Sequence, residues 1–230
     1  MKKSIDMACL IWFILFFIFI GCFVYYFYFT GQENELVIEK AKQNTAAEGI
    51  YYEDGKADHP FVLEGESEDS IIFYAASYYY SIPKEVRSEF WEKGWQVILT
   101  EKDISREYYN GPVSGRIAGL ALSNEKKIYI QNKRSDIRRA MIHEFGHFFD
   151  YDTDMSSGST SFKKIYENEK GSFKEKWKTD NHSISNEQEY FAEAFAQILL
   201  YPDILKDNCP KTFNYINELI DTYIYEKGTQ

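Results

Sequence analysis

The chain has 230 residues, of which 36 are acidic and 26 are basic, so its formal net charge is -10. This charge argues against nucleic acid as a partner, because a phosphate backbone would be repelled. Of three cysteines, only Cys209 lies beyond residue 30, so the rest of the chain forms no internal disulfide and depends on its core for stability.

A long apolar run dominates residues 1–30. It extends from Met7 to Phe29 without a charged residue, which matches the roughly 20 residues needed to cross a membrane. Lys2 and Lys3 precede the run, and the positive-inside rule keeps such residues in the cytoplasm. The pattern predicts a single-pass transmembrane helix in the cell membrane, with the rest of the chain outside. A lipoprotein signal at Cys22 and simple secretion are the alternatives.

Residues 31–66 are acidic and contain few aliphatic side chains, so they predict a spacer with a short helix near 33–47. Residues 67–230 are predicted to form one domain. Its first half contains helices where apolar residues recur at helical spacing, and strands where short β-branched runs occur. These elements are helices at 67–80 and 83–94 and strands at 95–100 and 127–131.

The second half of the domain is predicted to be helical. One helix begins near Ser135, which can cap it; a second covers residues 186–200, and a third begins at Pro210. Because the strands precede these helices, the expected fold class is α+β, with a small mixed sheet and several helices.

The helix that begins near Ser135 carries the sequence HEFGH at residues 143–147. Histidines four residues apart lie on one face of a helix, and two neutral imidazoles can occupy two tetrahedral positions of Zn²⁺. His143 and His147 are therefore predicted metal ligands. Glu144, between them, is predicted to act as the general base on a bound water. An exposed helix with two histidines by chance is the alternative explanation.

A catalytic zinc ion needs a third protein ligand. The metzincin continuation is missing, because Asp150 and Thr153 occupy the positions of its glycine and third histidine. Glu189 and Glu193 are the candidates, since buried carboxylates on a nearly apolar helix are costly without a cation. If Glu189 is the ligand, Glu193 lies one turn later and can hydrogen-bond a ligand histidine.

Three segments resemble the catalytic domain of anthrax lethal factor and its small secreted relatives, the Pro-Pro endopeptidases. They are HEFGH at 143–147, EYFAEAF at 189–195 and PKTFNYIN at 210–217, within a resemblance that covers roughly residues 68–226 and includes Gly115 to Leu122. The resemblance implies a zincin-like metalloprotease domain of the gluzincin type, with HExxH on its active-site helix. It implies one Zn²⁺ ion bound by His143, His147 and Glu189, with Glu144 as general base.

That family has a tyrosine seven residues before its glutamate ligand, and the tyrosine hydroxyl helps to stabilise the oxyanion. The corresponding residue here is His182. A histidine can donate a hydrogen bond to the same oxygen, so His182 is predicted to be catalytic. Alternatively, His182 has no role, and another tyrosine such as Tyr108 or Tyr109 serves instead.

We expect a protein or peptide substrate to bind as an added strand along residues 127–131, through Ile128, Tyr129 and Ile130, with Gly119 nearby. The predicted function is a membrane-anchored, extracytoplasmic zinc metalloendopeptidase. The alternative is a binding module, either a receptor or an immunity-type surface protein, that keeps the zincin fold and cleaves weakly or not at all.

Overall fold

A computed structural model describes residues 7–46, 60–111, 116–178 and 182–229. In chain order its elements are α1 (Met7–Ala46), β1 (Val62–Glu64), α2 (Asp69–Tyr80), α3 (Lys84–Glu92), β2 (Gln96–Thr100), α4 (Ile104–Glu107), β3 (Gly119–Leu122), β4 (Lys127–Gln131), α5 (Arg134–Asp152), a 3-10 turn (Ser156–Gly158), α6 (Thr160–Trp177), α7 (Glu187–Leu200), α8 (Pro202–Asn208) and α9 (Pro210–Gly228).

The strands form one four-stranded sheet in the order β1-β2-β4-β3. The β1, β2 and β4 strands are parallel, whereas β3 pairs antiparallel with β4. This arrangement confirms the expected α+β class with a small mixed sheet. Two of the strands, β1 and β3, lie at the edges of the sheet, and β4 lies in its interior.

The main core lies between the sheet and the helices. Side chains alternate across β4, so Ile128 and Ile130 face this core together with Ile137 and Met141 of α5. Tyr129 points to the opposite face of the sheet, where it packs with Ile98 and Ile104. Helix α5 is thus covered by the sheet on one side, and it contacts α2 and α7 on its other sides.

Helix α1 continues without interruption through the predicted boundary at residue 30. In place of a short helix near residues 33–47, the second half of α1 packs against the domain, where Val37 and Ala41 are completely buried. The structure therefore adds contacts that the prediction of a spacer did not include. The rest of that spacer includes residues 47–59, which lie outside the described ranges.

The first half of α1 exposes large apolar side chains. Those whose side chains are described are Ile11, Trp12, Leu15, Phe16, Phe17, Ile18, Phe19 and Ile20, with exposed fractions from 39% to 74%. Within residues 7–46, 60–111, 116–178 and 182–229, no helix meets both the length and the apolarity required of a membrane span. The transmembrane helix stays a prediction.

Candidate metal centre

Helix α5 presents the two histidines on one face, as their spacing requires. The ring centroids of His143 and His147 are 4.9 Å apart, and the rings are nearly perpendicular. Both side chains are mostly buried, with exposed fractions of 12% for His143 and 23% for His147. The remaining faces of α5 are anchored by Phe145 and Phe148, which are fully buried. The core thereby holds the imidazole pair in a fixed orientation.

Helix α7 brings Glu189 to the same place. The helix begins at Asn186, whose side chain accepts hydrogen bonds from the backbone N–H groups of Gln188 and Glu189. Farther along, α7 approaches α5 at Gly146, where an added Cβ would lie only 2.7 Å from the Cα of Ala192. Since no side chain separates the helices there, Glu189 reaches the histidines on α5.

The metal-binding atoms of His143, His147 and Glu189 all lie within 4.8 Å of one another. Glu189 Oε2 is 3.3 Å from His143 Nε2 and 3.7 Å from His147 Nε2. This oxygen is nevertheless buried without a hydrogen-bond donor. A buried carboxylate oxygen in that state is costly, and a cation among the three side chains would remove the cost. Two imidazoles and one carboxylate fit a catalytic zinc site, which leaves a fourth position open.

Glu193 contacts the other nitrogen of one ligand histidine. Its Oε2 lies 3.2 Å from His143 Nδ1, and Gln197 Nε2 donates a hydrogen bond of 2.9 Å to Glu193 Oε1. With Nδ1 protonated towards Glu193, His143 keeps the lone pair of Nε2 for a metal. This contact is the one that the predicted role of Glu193 requires. Gln197 was not predicted, although its spacing of four residues after Glu193 placed it on the same helix face.

The side chain of Glu144 extends from α5 to the β3 edge of the sheet, and only 6% of the residue is exposed. Burial raises the pKa of its carboxyl group, while His143, His147 and the backbone N–H of Ala121 act in the opposite direction. A raised pKa suits a group that must accept and return a proton near neutral pH. The position therefore agrees with the predicted general base.

Strand β3 passes directly over Glu144 at Gly119. A Cβ added to Gly119 would lie 2.7 Å from both Cγ and Oε1 of Glu144, so the glycine leaves room for this carboxylate. Gln131 N donates to the carbonyl of Ala118 across the β3–β4 pair. By the alternation of an antiparallel ladder, the backbone groups of Gly119 and Ala121 point away from β4, towards the open edge.

The predicted substrate edge at residues 127–131 is wrong, because β4 pairs with β2 on one side and β3 on the other. Its backbone groups are already used in the sheet. Ile128 and Ile130 are completely buried, and Tyr129 is 4% exposed, so these side chains also do not line a peptide groove. Gly119 alone among the four predicted substrate-binding residues lies on an edge strand.

His182 lies beside the metal group, in the segment that precedes α7. Its Nε2 is 3.5 Å from Glu189 Oε2, and 75% of its side chain is exposed. This position is compatible with a hydrogen bond to a substrate oxygen, and the role stays a prediction. Of the two alternative tyrosines, Tyr108 lies away from the metal group, and Tyr109 stays a prediction. The Tyr108 ring stacks on Tyr129 at 4.0 Å on the sheet face opposite α5, and its hydroxyl donates to Glu64.

The HExxH helix, the glutamate on a second helix and the edge strand over Glu144 form a fold similar to that of zincins, with a candidate metal site. The family profile described as "Anthrax toxin lethal factor, N- and C-terminal domain" matches residues 80–219, and the chain belongs to this family. The resemblance expected from the sequence is therefore confirmed.

The fold is also shared with a solved structure. The Pro-Pro endopeptidase PPEP-2 from Paenibacillus alvei is similar to this chain with a TM-score of 0.55 and 24% sequence identity, over 70% of this chain and 97% of that chain. No curated protein sequence matches the chain significantly. Helix α1 lies outside the range that the family profile matches.

Proposed function

We propose that the protein is a zinc-dependent metalloendopeptidase whose ion is bound by His143, His147 and Glu189. One observation carries the proposal: the three ligand atoms converge around a buried Glu189 oxygen that has no donor. Membership of the lethal factor family supports it. The PPEP-2 structure supports the fold, and that protein is named as an endopeptidase, an activity that we extend here to this chain.

A bound zinc ion would supply Lewis acidity, which lowers the pKa of water and polarises a peptide carbonyl. Glu144 then accepts the proton of the attacking water and returns it to the leaving amine. Because Glu144 is buried beneath β3, bulk water does not compete for this proton. His182, at the mouth of the group, donates a hydrogen bond to the carbonyl oxygen as negative charge develops there.

The peptide substrate lies along β3 rather than β4. The backbone groups of Gly119 and the carbonyl of Ala121 face the open edge of this strand, so an extended peptide can add to the sheet by main-chain hydrogen bonds. The Ala121 N–H is already bonded to Glu144. The same strand contacts Glu144, and the scissile bond is therefore brought next to the general base. This assignment replaces the edge that was expected from the sequence.

We also propose that residues 1–30 anchor the protein in the cell membrane, with the catalytic domain outside. The apolar run, the preceding Lys2 and Lys3, and the exposed side chains of Trp12 and Phe19 support this location. The test is alkaline carbonate extraction of membranes combined with protease accessibility in intact cells. Release of the protein by carbonate would contradict the anchor.

The enzymatic proposal is tested with the full-length chain purified in detergent. Zinc content is measured by elemental analysis, and cleavage is measured on a broad peptide library. We expect Glu144→Gln to bind zinc like the wild type and to lose at least about 100-fold in cleavage rate, the usual contribution of general base catalysis. The matched control is Glu175→Gln, which removes the same charge at an exposed position on α6.

Two results would contradict the proposal. A wild type without zinc would remove the metal site, whereas a zinc-loaded wild type that cleaves nothing would favour the binding module. The substitution of His182 for the family's tyrosine is the observation that keeps this second candidate in view. His182→Tyr separates the two candidates, because only an enzyme limited at this position would gain activity.

A further inference from the structure

A buried carboxylate on α1 joins this helix to α2, to α5 and to the residue between α7 and α8. Glu33 is 8% exposed. Its Oε1 accepts a hydrogen bond of 3.0 Å from the Tyr78 hydroxyl, and its Oε2 accepts one of 3.2 Å from the Tyr201 hydroxyl. Arg138 Nη1 lies 3.5 Å from the same Oε2. A carboxylate buried to this extent is stable only because such partners replace water.

One of these partners lies on a helix that carries proposed metal ligands, and another directly follows the second such helix. Arg138 lies on α5, five residues before His143. Tyr201 directly follows α7, which carries Glu189. The relative position of α5 and α7 sets the distance between the imidazoles and the carboxylate, and metal sites tolerate deviations of only about 0.2 Å in ligand distance. The Glu33 carboxylate thus links both halves of the site from outside.

Residues 33–44 of α1, the docked segment, also form hydrogen bonds with α2. Asn34 Oδ1 accepts a hydrogen bond from the Tyr74 hydroxyl at 3.0 Å. Asn44 Nδ2 donates to the carbonyl of Tyr80 at 2.8 Å, at the end of α2. Between these two contacts lie buried apolar side chains of α1. These residues precede the segment that matches the lethal factor profile, so the family relationship does not account for them.

We propose that Glu33 is a positioning residue for the metal site. By pairing with Arg138 and Tyr201 it fixes α5 relative to α7, and it thereby sets how closely Glu189 approaches His143 and His147. The docked segment of α1 is then a working part of the catalytic domain, and its release weakens metal binding without a change in any ligand. This inference rests on the zinc site proposed above.

The test measures zinc affinity of the full-length chain by competition with a chromophoric chelator. Glu33→Gln keeps the shape of the side chain and removes the charge that faces Arg138. We expect roughly three- to tenfold weaker zinc binding, at or below the lower end of the effect of residues that contact ligands directly. Glu35→Gln, an exposed residue on the same helix, is the matched control and should bind zinc like the wild type.

A double-mutant cycle shows whether the effect passes through Arg138. Arg138→Gln and Glu33→Gln remove two ends of one link, so the double variant should bind zinc about as well as either single variant rather than lose both effects in sequence. Additive losses would contradict the link. A purely structural role would lower the melting temperature of the zinc-free variants and leave the zinc affinity of the folded protein unchanged.

The outcomes separate this inference from the proposed function. A wild type that binds no zinc overturns the metal site and this inference with it. A wild type that binds zinc while Glu33→Gln binds it equally tightly overturns the inference alone. If Glu33→Gln does not fold, Tyr201→Phe removes a single hydroxyl and keeps the charge pair. Unchanged zinc affinity in that variant would also overturn the inference.

Discussion

Two acids, Glu169 and Glu189, differ in how far the protein itself supplies hydrogen-bond donors to their buried oxygens. Glu169 on α6 is 7% exposed and accepts three hydrogen bonds, from the backbone N–H of Lys211 and from the backbone N–H and hydroxyl of Thr212. Glu189 on α7 has a buried oxygen with no donor, although imidazole nitrogens lie around it. The protein thus supplies donors to both oxygens of Glu169, whereas the buried oxygen of Glu189 lacks one, as expected of a ligand of the proposed zinc ion.

The largest expected effect on zinc affinity is that of replacing Glu189. Glu189→Ala removes one of three protein ligands, and zinc affinity should fall roughly 1,000-fold, because four ligands share about 10–16 kcal/mol in structural zinc sites. Chelator competition measures the change. In the absence of zinc, this variant should unfold at a denaturant concentration no lower than that of the wild type, because it loses a buried oxygen that has no donor. A zinc affinity like that of the wild type would show that Glu189 is not a ligand.

Replacing Glu169 should lower the stability of the protein and leave its zinc affinity unchanged. Glu169→Ala removes the acceptor of three donors at the start of α9, among them the buried backbone N–H of Thr212, and the free energy of unfolding should fall by about 2–4 kcal/mol. Urea denaturation of the zinc-free protein measures this loss. Zinc affinity of the folded variant should be unchanged, since Glu169 contacts α9 and no metal ligand. A variant with normal stability and weak zinc binding would reverse the assignment.

A third change separates metal binding from proton transfer. Gly119→Ala places a methyl group within 2.7 Å of the Glu144 carboxylate, which must move to accommodate it. We expect kcat/KM for peptide cleavage to fall roughly tenfold, because general base catalysis depends on geometry. Zinc content should be retained. The control is Gly171→Ala on α6, where an added Cβ meets no atom within 4 Å.

The smallest effect is expected at Glu64, which is paired but partly open to solvent. Hydrogen bonds from Lys102 and Tyr108 lower its pKa from 4.5 to about 2. A depressed pKa in the folded state stabilises the protein above pH 4.5, and this contribution is lost as the pH falls towards 2. The stability difference between wild type and Glu64→Gln should therefore shrink over that range in urea titrations. A difference that is constant with pH would exclude this linkage.

The sequence predicted that His143, His147 and Glu189 lie close together, because the signals for this group are local. His143 and His147 are related by helical spacing, and two acids on an apolar helix indicated a partner with positive charge. Helix α6 was missed although its buried residues Phe162, Tyr166 and Phe173 recur at helical spacing. The abundance of lysine and glutamate in this segment obscured the helical spacing of its apolar residues.

Other features depend on pairing between distant parts of the chain. The sequence indicated a strand at residues 127–131 but could not show that β3 covers one side of it and β2 the other. The edge was therefore assigned to the wrong strand. The change of composition near residue 30 suggested a boundary, whereas helix formation continues through it because residues 7–46 contain no proline.

The continuity of α1 has a mechanical consequence. From Met7 to Glu33 a helix rises about 40 Å. Sharp kinks in helices occur mainly at proline, and α1 contains none. Tilting its apolar end would therefore also move the docked segment. The docked segment contacts Arg138 on α5 and Tyr201, which directly follows α7. If the proposed anchor holds the apolar end in a membrane, a force that tilts this end would reach the helices that carry His143, His147 and Glu189, although it acts at the other end of α1.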